Sequence, residues 1–250
     1  MEPILAVLKE QFFIEPVDFS INLEGVSTQD MLNTEMMQKI VEGRTNCFNA
    51  TDVRLGGANL MKWFGNLITA HLYTYFVHNK WLHYEGIHFI EEGEEVHFQI
   101  LKPQLIEIKT EDRDQVGKEK ITKLIEGLQP LFQQISETSG LSKQQVWGLI
   151  TNPYYNRLNT WKSEPSIEHK IERDHELLKT LPADTFNLKR NPFDLTFRYV
   201  DSWQDSNTKV RIKGACCMSY LKAEGNYCYS CPKLTNAERA VRAEQLRSQE

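Results

Sequence analysis

The motifs that would let this chain bind its own nucleotide or run hydrolytic chemistry are missing from its 250 residues. Gly56-Gly57 does not extend to G-x-G-x-x-G and there is no P-loop, so no nicotinamide, flavin or nucleotide site is expected. A G-x-S-x-G elbow is absent too, which excludes serine-hydrolase chemistry of that kind. A formal net charge of −5 argues against general nucleic-acid binding, which needs a basic surface. The longest apolar stretch, Leu60 to Val77, is broken by Lys62, Asn66 and His71, so no membrane span is expected. Met1 to Lys9 lacks the basic leader and long apolar stretch of a signal peptide, and with reduced thiols this leads us to expect a cytoplasmic protein.

Cysteine is scarce but concentrated. Four of the five lie within sixteen residues, as Cys216-Cys217 followed by Cys228 and Cys231, the pattern C-C-x10-C-x2-C. The second half is ordinary chelate spacing, because two intervening residues let both sulfurs turn onto one metal. The first half is unusual. Adjacent side chains in an extended segment point to opposite sides, so both thiolates share one site only if the backbone turns sharply. Gly214, just before the pair, supplies the conformational freedom for such a turn. Three readings stay open on spacing alone: a tetrahedral zinc, an iron–sulfur cluster, or disulfides in an oxidising compartment.

The run Arg211-Ile212-Lys213-Gly214-Ala215-Cys216-Cys217-Met218-Ser219-Tyr220, then Tyr227-Cys228-Tyr229-Ser230-Cys231-Pro232, resembles the C-terminal end of FhuF-like ferric siderophore reductases. The close match spans about the last forty residues, with a weaker likeness at Asn191-Pro192-Phe193. The resemblance implies a [2Fe–2S] cluster on Cys216, Cys217, Cys228 and Cys231, and one-electron reduction of ferric siderophores of the hydroxamate or citrate-hydroxamate type. It also implies release of ferrous iron in the cytosol. With no nucleotide motif, electrons must come from outside: a ferredoxin, a flavodoxin, another reductase or a soluble reductant. The alternatives are a four-cysteine zinc site that stiffens a protein-interaction module, and an iron–sulfur redox sensor.

From Lys209 to Arg242 seven basic residues face two acidic ones, Glu224 and Glu238, inside an otherwise acidic chain. Such a run is either a solvated tail or a surface that favours the reduced cluster and attracts anionic substrates. On the second reading Arg211, Lys213 and Lys222 are candidate substrate-binding residues. Outer-sphere transfer to a wrapped ferric complex then asks only for a shallow basic surface. Five of the seven histidines fall between residues 71 and 97, but without chelate spacing, and they read as solvated or core-edge. Placing a hairpin turn at Glu91 to Glu94 sets His88 and His97 facing each other across its strands. Cys47 reads as a small buried hydrophobe.

The patterning predicts an α+β fold, mostly helical, with a small antiparallel sheet and a C-terminal cysteine-rich segment. Residues 1–195 read as the core and 196–250 as the cluster-binding segment with a terminal helix. A helix is expected from Ser27, with its apolar face on Leu32, Met36, Ile40, Met37 and Val41 and a stop at Gly43. Others are expected over Ala58 to Val77, after Asp112 with a kink or break at Pro130, after a capping box at Ser142, over Ile167 to Leu178, and after a capping box at Thr235. Period-two alternation predicts a hairpin within Leu82 to Lys109, with Leu105 to Ile108 as a further strand. Thr196 to Val200 and Val210 to Lys213 read as strands that deliver the chain to the cysteines.

Overall fold

A computed structural model describes residues 2–17, 24–109 and 111–249. The fold is α+β and mostly helical. Its axis is α3 (Val53–His78), started by Asp52, whose carboxylate accepts from Arg54 N at 3.0 Å, and ended by Asn79 in the left-handed region. Most faces of α3 are apolar and buried, as expected of a helix wrapped by others. Around it lie α1 (Glu2–Phe12), α2 (Thr34–Asn46), α4 (Arg113–Ser139), α5 (Lys143–Lys162) and α6 (Glu168–Lys179). Gly65 lets α3 and α5 approach closely: a Cβ there would stand 2.6 Å from the Ile150 carbonyl oxygen.

Strands β4 (Gly86–Glu92) and β5 (Glu95–Leu101) form the expected hairpin, turning at Gly93 with φ 60°. β2 (Val26–Ser27) pairs antiparallel with β4, while β1 (Ile14–Val17) runs parallel to β5, so the sheet is mixed and not purely antiparallel. β3 (Lys80–His83) and β6 (Gln104–Glu107) form a separate ribbon, which takes the Leu105 to Ile108 strand away from the hairpin. β7 (Tyr199–Asp201) and β8 (Lys209–Arg211) form a third, leading into the cysteines. α7 (Asn236–Arg247) starts with the full reciprocal capping box of Thr235 and Glu238.

Several expectations shift. The first predicted helix begins at Thr34, capped by Asn33, because Ser27 instead bonds Asp30 ahead of a short 3-10 turn, and it runs through Gly43 to Asn46. α4 passes unbroken through Pro130, held by buried Leu128, Leu131, Phe132 and Ile135. Ser142 accepts from Gln145 N, which is half of a capping box. His88 lies opposite Gln99 and His97 opposite Ile90, so the two histidines are diagonal on the hairpin, not face to face. His71 is buried beside Tyr84. Among the described residues no helix is long and apolar enough to cross a membrane.

Candidate metal centre and adjoining cavity

The cysteine segment is seated on α5. Gly148 faces Ala215, and a Cβ on it would stand 2.7 Å from the Ala215 Cβ, so only glycine lets this loop lie flat against the helix. Lys213 N donates to the Ser230 carbonyl at 3.0 Å, joining the two halves of the motif. Buried Arg239 of α7 reaches back to the carbonyls of Tyr229, Cys231 and Leu234, tying the terminal helix to the C-x2-C turn. Ala215, Cys216, Met218 and Cys231 share the hydrophobic core of the helices.

The adjacent cysteines diverge. Cys216 pairs with Cys231, both buried, with their sulfurs 3.6 Å apart. Cys217 lies near Cys228, and both are half-buried. No sharp turn between Cys216 and Cys217 is needed, because alternate sides serve alternate partners. The positive φ falls after the pair, on Met218 at 59°, and not on Gly214.

Electrostatics differ between the pairs. Burial raises the Cys216 thiol pKa, and the nearby Cys231 and Cys217 add to it. The Cys217 thiol is lowered, first by the neighbouring Cys228 thiol, then by the Lys213 charge and the Ser219 hydroxyl at 3.2 Å. Lys213 Nζ donates to Cys228 Sγ at 3.3 Å. Burial penalises that ammonium, but Cys228, Cys217 and Cys231 together outweigh the penalty and keep its pKa above the usual lysine value.

Among the described residues no group of three or more His, Cys, Asp or Glu side chains is arranged to hold one metal ion. Two thiolates on one tetrahedral metal at about 2.3 Å stand about 3.8 Å apart, close to the Cys216–Cys231 separation. Cys217 and Cys228 lie beside this pair, and four thiolates are what a two-iron cluster takes, two on each iron.

Cys217 opens onto a cavity of about 670 Å³ between α3, α5, the hairpin turn and the cysteine loop. Sequence reasoning asked for no more than a shallow basic surface; the structure has a cavity there. α3 lines it with Asn59, Lys62, Trp63 and Asn66, and α5 with Asn152, Asn156 and Arg157, each set along one helical face. Glu94 and Glu95 of the hairpin and Lys213 and Lys222 of the cysteine loop complete the rim. Lys222 pairs with Glu94 at 3.2 Å and stacks on Phe48. Lys62 and Lys213 have no carboxylate partner among the described residues, so the cavity is cationic near Cys217.

Of the candidate substrate-binding residues, Lys213 and Lys222 border this cavity and Arg211 does not. Arg211 is half-buried behind the wall, over the Phe197 ring at 4.6 Å and bonded to Asn152 and Asn156. Lys62 and the asparagines were missed, although a polar stripe at positions 59, 62 and 66 of an otherwise apolar helix was visible in the sequence. Cys47 lies apart, its thiol donating to the Arg44 carbonyl at 3.2 Å.

No protein-family model matches the chain, and a search of curated proteins found no match. The likeness to FhuF-like reductases rests on the cysteine motif and its flanking residues.

Proposed function

We propose that this chain is a one-electron ferric-chelate reductase, with a [2Fe–2S] cluster on Cys216, Cys217, Cys228 and Cys231 and ferric siderophores as substrates. One observation carries the reading: buried Cys216 and Cys231 stand with their sulfurs 3.6 Å apart, Cys217 and Cys228 lie beside them, and Cys217 borders a cavity of about 670 Å³. A cavity of that volume suits a compact chelate. A cluster bound there supplies one electron at a time.

The chain's own residues do the rest. Cys216 and Cys231 are buried from water, while Cys217 and Cys228 are half-buried and Cys217 lines the cavity. Lys213 holds positive charge against the outer sulfurs, which favours a state with one more electron. Lys62 and Lys213, which have no carboxylate partner among the described residues, attract an anionic complex, with Lys222 on the rim beside Glu94. The ferric substrate, wrapped in hard oxygen donors, gains the electron, and the ferrous product is held far less tightly by those donors and exchanges away. The electron comes from an external ferredoxin, flavodoxin or similar donor. Free thiols suit a reducing compartment such as the cytosol.

Iron and acid-labile sulfide analysis of the purified protein tests the centre. The reading requires two of each per chain and a red-brown protein that bleaches on reduction. A colourless protein with stoichiometric zinc would overturn it.

A further inference from the structure

Arginine carries five N–H donors and no acceptor, so the asparagine atom that meets it must be the amide oxygen. Arg211 Nη2 donates to Asn152 Oδ1 at 2.8 Å and to Asn156 Oδ1 at 2.7 Å, two residues four apart on one face of α5. This contact fixes both amides with Nδ2 turned away from the arginine, and both side chains line the cavity. On the facing wall Arg44 Nε donates to Asn59 Oδ1 at 3.0 Å. Arg44 is itself immobilised, 1 % exposed and donating to the Gly93 carbonyl at 2.7 Å. Among the described residues no protein acceptor takes the N–H2 of Asn59, Asn152 or Asn156.

We infer that Asn59, Asn152 and Asn156 are specificity-determining donors of the cavity, oriented by Arg44 and Arg211, and that they take an anionic ferric chelate through its peripheral carboxylate or carbonyl oxygens. The inference rests on the reductase reading of the cavity. Three amides with their oxygens already engaged present donors only. Lys62 and Lys213 beside them add charge without adding an acceptor. A chelate that presents oxygens satisfies this half-exposed wall, whereas one that presents an ammonium sets donor against donor and displaces water from amides it cannot pair. Arg211, expected from sequence to touch substrate, acts one shell back as a positioning residue.

Gallium(III) complexes test this without electron transfer, since gallium matches ferric iron in charge and is not reduced. The probes are a singly anionic complex of a citrate-based dihydroxamate and a cationic complex of a linear trihydroxamate with a free amine. Each is titrated calorimetrically into the cluster-loaded protein. Asn152→Asp and Asn156→Asp keep an acceptor for Arg211, so the fold is preserved, but they replace a donor with an anionic oxygen. Each should weaken the anionic complex about tenfold or more, with no loss for the cationic one and no change in visible spectrum. Asn156→Leu, which removes the donor without adding charge, should weaken the anionic complex by about threefold or more. Arg211→Met should weaken it similarly, and Arg211→Lys should restore part of the loss. Wild-type affinity in both Asp variants, or no binding of the anionic complex to wild type, overturns the inference. A colourless protein with asparagine-dependent gallium binding would instead sink the reductase reading alone.

Discussion

Lys213 Nζ reaches Cys228 Sγ at 3.3 Å from the wall of the cavity, so one ammonium serves both the thiolate centre and the space beside it. Lys213→Met keeps the stem and removes the charge. The reduction potential should fall by about 60 mV or more, one tenfold step for a one-electron couple. Spectroelectrochemical titration measures it, and an unchanged midpoint would separate Lys213 from the redox centre.

The four thiols of the motif lie together, whereas Cys47 lies apart and donates to the Arg44 carbonyl. Replacing Cys216, Cys217, Cys228 or Cys231 by serine should abolish or shift the visible spectrum, because serine is a harder and far less acidic ligand. Cys47→Ser should leave spectrum and iron content as they were. A native spectrum in the Cys217 variant would remove that residue from the ligand set.

The seat of the cysteine loop can be tested away from any ligand. Gly148→Val puts side-chain atoms where the Ala215 Cβ lies, only 2.7 Å from an ideal Cβ. Overpacking of this kind costs about 1–3 kcal/mol. Chemical denaturation should report that loss together with faster iron release. Wild-type stability and iron retention would mean that the loop does not depend on this contact.

Those contacts also mark where sequence reading stopped. The four cysteines, the hairpin and the Thr235 capping box were legible because each is a local pattern. The parallel pairing of β1 with β5 was not, since it joins segments some eighty residues apart with no turn signal between them. Pro130 carries a breaker's signature, but the buried residues around it outweigh the local preference. Arg211 shows the subtler limit. Its charge was visible and its neighbours were not, and Asn152 and Asn156 turn it from a ligand contact into a support.

Stability should decline in mild acid. Burial lowers the pKa of His71 to about 3 and of His175 to about 4, both below the ordinary histidine value of 6.5. Between those values and 6.5 the unfolded chain binds more protons, so stability is full above pH 6.5 and is lost as pH falls through that window. The slope is about 1.4 kcal/mol per pH unit for His71, and less for His175, which keeps more contact with solvent. Urea melts at pH 7 and pH 5 measure it. Equal midpoints at the two pH values would contradict this, and His71→Phe should remove the larger share of the difference.

On the proposed reading, an electron held at the four cysteines should pass to ferric iron in a chelate. Mixing the anaerobically reduced protein with one ferric siderophore and a ferrous trap, and following both colours in a single turnover, tests it most directly. The account predicts that the bleached absorbance returns while trapped ferrous iron rises in step, about one per chain for a one-electron centre. The rate with an anionic complex should fall as salt rises, because the Debye length shrinks from about 10 Å at 0.1 M to about 3 Å at 1 M. An absorbance that stays bleached while the ferric siderophore persists would contradict it.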